Sequence, residues 1–337
     1  MILYLGRRLI WSLVVLLAVA GLTFYLVHLI PGNPWETRTG QRRFTSNQID
    51  ANTLKTLNHR YGLDKPVWQQ FVVYLIGFQN ENGDFECGFI CGNLGPSLRQ
   101  RGRTVNEILF DAPENGSIWQ SRFAYTMRLA IWVTVVILLL GISIGVLAAI
   151  KQDTWIDRSI AVFSATIMAI PNFIIGLLAI IVFASMLHLI SVRATWSKPQ
   201  DWIIPVVVLA LAPAGMLARI TRSAVLEASH GDYVRTARSK GLTEPQIVTW
   251  HILKNASIPI VTYTGPLLVE FVAFSFVIEA MFGFPGFGRE YYEAITNLDY
   301  PMIMAITMIY GVIIILANFV IDLLYGFLDP RIRIAET

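Results

Sequence analysis

The chain has 337 residues, of which 55% are hydrophobic and only 15% are charged, and its mean hydropathy is +0.56. Soluble globular domains carry roughly a quarter charged residues, so this composition excludes an ordinary soluble protein. The formal net charge of +3 is modest. Because the basic residues flank apolar runs and form no single basic face, the pattern also excludes a nucleic-acid-binding protein.

The first apolar run extends from Leu9 to Ile30 and follows Arg7 and Arg8. About 20 apolar residues suffice to cross a bilayer as a helix. Residues 18–20 read Ala-Val-Ala, which fits the cleavage site of a secretory signal peptide. The apolar run continues ten residues past this site, which favours a retained membrane anchor in residues 1–30.

A long polar region, residues 31–123, separates this span from the next one. It contains the only two cysteines, Cys87 and Cys91. An oxidising compartment would permit a disulfide, since a four-residue separation can close a bridge within a turn. The alternative is two unrelated thiols. A C-x3-C pattern without histidine or a third cysteine is weak support for a metal site, and we expect no metal.

The second predicted span runs from Ala124 to Ile150. Within it, Gly141 and Gly145 stand at small-xxx-small spacing, which allows close approach of another helix. The alternative is that glycine is merely common in membrane helices.

The third predicted span runs from Ser159 to Leu187 and is interrupted by Pro171 and Asn172. A proline in a membrane helix frees a carbonyl, which must face a neighbouring helix, water or a cavity. Pro171 and Asn172 are therefore either pathway-lining residues or a purely structural kink. The fourth predicted span runs from Trp202 to Ile220.

A polar, basic segment, Gly231 to Pro259, lies between two long apolar runs. Asp232 is expected to cap a short helix from Tyr233 to Lys240, because its carboxylate can accept the free N–H groups of the first turn. Gly241 is expected to reverse the chain with a positive φ.

Thr243 is expected to cap a second short helix that has Pro245 in its first turn and is ended by Asn255 and Pro259. Two short helices at a membrane surface form a protrusion, here named the knob (residues 231–259), which suits docking of a soluble partner. The alternative is a basic loop that only obeys the positive-inside rule.

The fifth predicted span, Ile260 to Met281, carries Glu270, an ionisable group at membrane depth that should face a bundle interior or water. A substrate contact and a hydrogen bond to a partner helix both remain open for it. The glycines of residues 279–288 do not form a phosphate loop, because their order differs and no strand precedes them. They favour a re-entrant or tight turn before a sixth span, Met302 to Tyr325.

Charge asymmetry orients these six spans. The short loops on one side contain only three basic residues, Arg193, Lys198 and Arg289. The other side, which carries both termini and the knob, is therefore predicted to be cytoplasmic. Its basic residues are Arg7, Arg8, Lys151, Arg158, Arg219, Arg222, Arg235, Arg238, Lys240, Lys254, Arg331 and Arg333.

The knob resembles the signature loop of permease subunits in binding-protein-dependent ABC importers, whose general pattern is E-A-A-x3-G. Residues 235–237 (Arg-Thr-Ala) stand at the E-A-A positions, and Gly241 follows. The first two positions depart from that pattern, and the distance from Gly241 to Pro259 is longer. Both departures resemble the dipeptide and oligopeptide branch, with its YVRTAR-x-KGL and H-x-L-x-N-A-x-x-P.

Further stretches carry the same resemblance over nearly the whole chain, except for an insertion at Asn80 to Cys91. They are residues 61–75, 92–109, 170–173 (similar to S-x-P-x-F), 279–288 (similar to E-x-x-F-x-x-P-G-x-G) and the end Asn318 to Ile334.

The resemblance implies an all-α membrane protein with the six-helix fold of type I ABC importer permeases. Residues 31–123 would form an extracytoplasmic cap, residues 124–330 a five-helix core with the coupling loop 231–259, and residues 331–337 a cytoplasmic tail. It also implies a multi-pass protein of the prokaryotic plasma (inner) membrane, with both termini cytoplasmic.

The function implied is a transport subunit, not an enzyme, that forms half of a pathway for peptides. Its implied partners are a second homologous permease (a heterodimer), two cytoplasmic ATPase subunits and an extracytoplasmic binding protein, with no nucleic acid. The chain has no G-x4-G-K-[ST] motif, so ATP and Mg are expected on the ATPase subunits and no cofactor on this chain.

The resemblance and the residue patterns together select two groups of functional residues. The ATPase-coupling group is Asp232, Tyr233, Arg235, Thr236, Ala237, Arg238, Lys240, Gly241 and Leu242. The pathway group is Pro171, Asn172, Glu270 and Glu279.

Three alternatives stay open at this point. A secondary transporter or channel would explain six spans and Glu270, but not the knob. An intramembrane enzyme would need a paired catalytic set, whereas Glu270 has no such partner in sequence. The same importer scaffold also carries nickel complexes or oligosaccharides, and fold resemblance does not decide the substrate.

Overall fold

A computed structural model of the chain describes residues 2–30, 64–79, 85–100, 102–113, 116–189, 196 and 198–328. Predictions for residues 31–63, for 80–84 and for the tail 331–337 lie outside the described residues. The rest falls into two compact units. Unit 1 lies within Met1–Tyr125 and Gly286–Ile315, and unit 2 within Thr126–Pro285 and Leu316–Thr337.

The described elements are helical except for one short hairpin. In chain order they are α1 (Ile2–Leu29), α2 (Val67–Ile76), β1 (Gly77–Gln79), β2 (Phe85–Cys87), α3 (Val105–Phe110), α4 (Arg122–Ile150), α5 (Trp155–Ala169), α6 (Asn172–Ala179), α7 (Pro199–Ser229), α8 (Asp232–Ser239), α9 (Glu244–Ile247), α10 (Leu253–Phe274), α11 (Phe276–Phe282), α12 (Phe287–Asn297) and α13 (Tyr300–Leu328).

Four of these helices, α1, α4, α7 and α13, are long and apolar enough to cross a membrane. Two bent pairs raise the number to up to six within the described residues, if each pair is one span. The pairs are α5 with α6 and its π-helical continuation Ile180–Met186, and α9–α10 with α11. The spans confirm the predicted all-α membrane fold.

Unit 1 has its apolar core where α1 and α13 meet. Ala20 and Phe24 of α1 pack with Met304 and Met308 of α13, and α2 adds Phe71 and other partly buried side chains. The hairpin that follows α2 is antiparallel, with Gly77 opposite Cys87.

Unit 2 is assembled around α7. A Cβ at Gly141 would lie 2.7 Å from the Leu217 side chain, and one at Gly145 would lie 2.6 Å from the Ala218 carbonyl oxygen. Both positions therefore require glycine for the close approach of α4 to α7, which supports the small-xxx-small interpretation of this pair.

The third span is broken rather than kinked. Helices α5 and α6 meet at an angle of 97°, and Pro171 caps α6, with its carbonyl accepting from Ile174 N at 2.9 Å. Pro171 fixes its own φ and disfavours helical geometry at the preceding residue. Two rigid helical pieces therefore meet at Ile170–Pro171.

Two predicted boundaries at the knob are wrong. Helix α7 continues nine residues past Ile220, to Ser229. Asn255 and Pro259 do not end the second knob helix, because α9, a π-helical turn at Val248–Ile252 and α10 run on as one helix with Pro259 inside it. A proline is tolerated in a long membrane helix when other groups satisfy the freed backbone.

Candidate functional site

The knob has two arms, helix α8 and the helix that begins with α9. Helix α8 begins one residue earlier than predicted. Its N-cap is Gly231, with no side-chain cap, so the expectation that Asp232 caps the helix is wrong. Asp232 instead occupies the first helical position, where its negative charge still favours the helix N-terminus. After α8, Gly241 has a φ of +77°, which confirms the predicted positive φ.

The second arm begins as predicted. Thr243 caps α9, Gln246 Oε1 accepts from the Thr243 N–H at 3.0 Å, and Pro245 lies in the first turn. Arg238 donates to Glu244 through Nε at 2.8 Å and Nη2 at 3.2 Å, which raises the pKa of Arg238 above its ordinary value. This two-pronged contact holds the two arms together across Gly241.

Small apolar side chains fix the knob to the ends of the long helices. Val234 and Ala237 of α8 are 0% and 3% exposed and join a buried cluster. Ala237 therefore anchors the knob and presents no surface to a partner. The other buried members of this cluster are Ala149, Ala224, Val225, Ile247, Ile252 and Ala256.

The remaining predicted coupling residues are exposed. The Nη1 atom of Arg235 lies 3.8 Å from Oδ1 of Asp232, and the Arg235 side chain is 80% exposed. Tyr233 donates its hydroxyl to the Ala228 carbonyl oxygen of α7 at 2.8 Å. The exposed set is Asp232, Tyr233, Arg235, Thr236, Arg238, Lys240, Gly241 and Leu242.

Sequence reasoning missed the ion pair that joins α5 to α7 above the knob. Arg222 donates to both carboxylate oxygens of Asp157, from Nε and Nη2, at 2.7 Å each. The Asp157 side chain is 6% exposed and that of Arg222 is 30% exposed. The two residues are 65 positions apart, so no local pattern could have paired them.

A cavity of about 360 Å³ opens between α7 and α10. Arg219, Ser223 and Glu227 line it at helical spacing on one exposed face of α7, and Pro259 lines it from α10. Sequence reasoning placed Arg219 among the cytoplasmic basic residues and missed this stripe. The available signal was three polar residues spaced four apart.

The four predicted pathway residues differ in their exposure. Pro171 and Glu270 are exposed and Asn172 is half-buried. Glu279 is 0% exposed, and its Oε1 accepts from Thr126 Oγ1 at 2.8 Å and from Ser275 Oγ at 2.7 Å. A carboxylate without exposed surface lines no pathway in this conformation, and these two bonds lie beside the break between α10 and α11.

Glu270 lies on the exposed side of α10. Among the described residues, Glu270 has no hydrogen-bond or ion-pair partner. Thr262 and Pro266 are exposed on the same face of this helix, at helical spacing. Ionisable groups at membrane depth avoid lipid, so this face of α10 is suited to a water-filled space or to another polypeptide.

In unit 1, Asp299 braces the region between the first two spans. This buried side chain, 2% exposed, accepts from Ser97 Oγ, from Leu98 N at 3.1 Å and from Met302 N at 3.4 Å. Residues 97–99 are thereby tied to the start of α13. These residues and Asp299 are named the brace.

Ion pairs surround the brace. Glu293 accepts from Arg99 and, at 3.0 Å, from Arg289 Nε, and Arg122 pairs with Glu290. Burial raises the pKa of Glu293, but the hydrogen bonds and charges of Arg99 and Arg289 outweigh it, so the pKa lies below its ordinary value.

Cys87 and Cys91 are joined by a disulfide, with their Cα atoms 5.8 Å apart. The bridge links β2 to the 3₁₀ turn Phe89–Cys91 that follows it. Within the described ranges, no group of three or more His, Cys, Asp or Glu side chains is placed to hold a metal ion.

Comparisons with known proteins agree with this architecture. The family model described as "Binding-protein-dependent transport system inner membrane component" matches residues 141–334, and the model of its N-terminal part matches residues 1–118.

A dipeptide transport system permease, DppB of Bacillus subtilis (strain 168), is 34% identical over 98% of both chains. The oligopeptide permease OppB of Escherichia coli (strain K12) is 31% identical over 99% of this chain and 100% of its own. A chain of the MetNI methionine ABC transporter, solved facing inward, has a TM-score of 0.50 and 19% identity, and covers 61% of this chain and 93% of its own. This last likeness concerns the fold alone.

Proposed function

The chain belongs to the binding-protein-dependent transport system inner membrane components, and on that premise we propose that it is a permease subunit of an ABC importer for peptides. The substrate class is supported by the full-length relatives, which are dipeptide and oligopeptide permeases. The observation that carries the coupling role is the knob, with its charged outer surface on a tightly packed base.

The partners follow from this role. We propose that a second, different permease completes the pathway, that two ATPase subunits dock on the knobs and bind ATP and Mg, and that an extracytoplasmic binding protein delivers peptide. This chain then hydrolyses no ATP itself. The knob and both termini lie in the cytoplasm, which the distribution of basic residues supports.

The knob is proposed to act as a rigid insert in an ATPase cleft. Its exposed residues include Tyr233, Arg235 and Arg238, and tyrosine and arginine are frequent anchors in protein interfaces. The Arg238–Glu244 contact fixes the angle between the arms. Closure of the ATPases on ATP would then displace the knob and the helices fixed to it.

The pathway is proposed to follow the exposed face of α10, with Glu270 as its charged residue and Pro171 and Asn172 at the break between α5 and α6. The exposure of Glu270 at membrane depth supports this placement. Glu279, which the sequence grouped with them, is assigned a bracing role because it is buried between hydroxyl groups.

Co-purification tests the coupling role. The chain is expressed with candidate ATPase and permease subunits from the same organism, and the tagged chain should retain a P-loop ATPase. Proteoliposomes of that complex should accumulate peptide only with ATP and the binding protein. Accumulation without any ATPase would favour a secondary transporter and overturn the proposal.

Glu270→Gln tests the pathway role. The variant should insert and bind the ATPase as the parent does, because glutamine has nearly the same shape and Glu270 is exposed, with no hydrogen-bond or ion-pair partner among the described residues. Uptake should fall by roughly tenfold if the charge interacts with the peptide in transit. Uptake at the parent rate would make Glu270 a structural residue, and Glu227→Gln, at the cavity, serves as the comparison.

A further inference from the structure

Asp157 of α5 and Arg222 of α7 form a two-pronged ion pair. Asp157 lies in the first turn of α5, and its Oδ2 also accepts from the backbone N–H of Asp153 at 3.0 Å. Asp153 has a φ of +62°, so the chain enters α5 through a turn that this carboxylate holds. Both oxygens of Asp157 are thus engaged, and its orientation is fixed.

The same two helices meet again farther along. A Cβ at Gly215 of α7 would lie 3.4 Å from Ser164 of α5, which is buried. Ser164 is seven residues after Asp157, and Gly215 is seven residues before Arg222. Helices α5 and α7 are therefore antiparallel and in register at two points about 10 Å apart, which fixes both their distance and their relative rotation.

Helix α7 also leads directly into the knob. Only His230 and Gly231 separate its last residue from α8, and Tyr233 bonds back to the Ala228 carbonyl oxygen. At the other end of α5, the helix stops at the 97° break before α6. A continuous series of close contacts thus leads from the knob, through α7 and the ion pair, to α5 and its break.

Stability alone is a weak explanation for this pair. Removing a carboxylate and a guanidinium from water costs about as much as their attraction returns, so a buried pair often contributes little net stability. Its two-pronged geometry, however, defines one orientation of the two helices. The pair is better suited to fixing geometry than to holding the fold together.

We propose that Asp157 and Arg222 are positioning residues that make α5 move with α7 and the knob, so that ATPase closure reaches the break at Ile170–Pro171. This inference rests on the proposed coupling function. It assigns a role to two side chains that touch neither peptide nor the docking surface of the knob.

The experiment uses the complete complex in proteoliposomes and measures peptide uptake per ATP hydrolysed. Asp157→Asn and Arg222→Gln each break the pair, and Arg222→Lys keeps the charge but loses the two-pronged contact. The double variant Asp157→Asn/Arg222→Gln removes both charges. Arg158→Gln, an exposed neighbour on α5, is the matched control.

In both single variants, the uptake per ATP should fall about tenfold while the ATPase still co-purifies. Arg222→Lys should fall by about threefold, and Arg158→Gln should match the parent. The double variant should regain thermal stability, because no unpaired charge remains, yet its uptake per ATP should stay low.

Recovery of uptake per ATP together with stability in the double variant would overturn the proposal and leave the pair a structural contact. Unchanged uptake per ATP in Arg222→Lys and in the double variant would do the same, even if the single variants failed to fold. A parent complex that binds no ATPase would refute the proposed function instead, which is a separate result.

Discussion

The knob of unit 2 and the brace of unit 1 both hold a short polar segment against the end of a long helix, but they place their charges differently. In the knob, the charged side chains point outward and small apolar side chains form the base. In the brace, the carboxylate of Asp299 is buried and accepts hydrogen bonds from four residues, Ser97, Leu98, Arg99 and Met302.

The difference indicates what each region is for. A surface that presents unburied charge is available to a partner, and its residues contribute little to folding. A buried carboxylate with several donors is costly to disturb, since each donor would be left unsatisfied. Changes at the knob should therefore alter coupling, and changes at the brace should alter stability.

The largest effect is expected from replacing one glycine in each region by valine, because the two glycines form a matched pair. Gly241 in the knob and Gly102 near the brace have φ values of +77° and +84°, and an added Cβ meets no atom within 4 Å at either. A valine at either position strains the backbone by about 2 kcal/mol.

Gly241→Val should abolish ATPase co-purification and ATP-driven uptake, because the two arms of the knob change their angle. Gly102→Val should lower the midpoint of thermal unfolding as much as Gly241→Val does, but it should leave ATPase docking intact. Equal loss of docking in both variants would show that general destabilisation, not knob geometry, is responsible.

Arg238→Glu should weaken ATPase docking by roughly tenfold, since it reverses a charge on the exposed surface and separates the two arms. The double exchange Arg238→Glu/Glu244→Arg restores the contact within the knob but leaves the charges inverted. Pull-down yields of both variants distinguish the roles. Full recovery of ATPase docking in the double exchange would mean that only the contact between the arms is required. Continued loss of docking would mean that the ATPase interacts with the charge at position 238.

Asp299→Ala should lower the free energy of unfolding by about 3 kcal/mol, because buried donors on the 97–99 segment and at the start of α13 lose their acceptor. Thermal unfolding in detergent measures this loss, with exposed Asp111→Ala as the control. ATPase docking by the folded fraction should be unchanged. Normal stability of Asp299→Ala would mean that the brace is not a stabilising contact.

The bridge between Cys87 and Cys91 should appear as one linked peptide in non-reducing mass spectrometry of protein that was never reduced. Its reduction should cost about 2 kcal/mol, since the closed loop is short, and should affect only the region near β2. Alkylation of both thiols without prior reduction would contradict the bridge.

The smallest effect concerns pH. The pKa of Glu293 is lowered in the folded chain, so its contribution is fully present above the ordinary glutamate pKa of about 4.3 and is lost as the pH falls through the lowered folded value. The parent should melt higher than Glu293→Gln at pH 7, and the gap should close in strong acid. A gap that widens as the pH falls below the ordinary glutamate pKa would contradict this sign.

Local features of the knob were predictable because they depend on neighbours in sequence. Helix α8, the cap at Thr243 and the positive φ at Gly241 follow from propensities and capping rules. The end assigned to Asn255 and Pro259 was wrong because the rule that proline stops a helix is weaker for membrane helices, where packing outweighs it.

Long-range contacts could not be predicted from the sequence. The Asp157–Arg222 pair and the brace join residues 65 and about 200 positions apart, and a single sequence gives no sign of such pairings. Helix α12 also went unpredicted, because its first residues were grouped with the glycine-rich turn. The burial of Glu279 could not be read either, since its hydroxyl partner Thr126 lies in another span.

The helix that runs without a stop through Pro259 has a geometric consequence. From Glu244 in the knob to Glu270 on the exposed face of α10 it covers 26 residue steps, or about 39 Å. Such a rod is a lever, and a tilt of about 5° at the knob end would carry Glu270 sideways by about 3 Å over that length. This is about the length of a hydrogen bond, so if Glu270 contacts the peptide as proposed, such a tilt would break that contact without any change of side-chain rotamer.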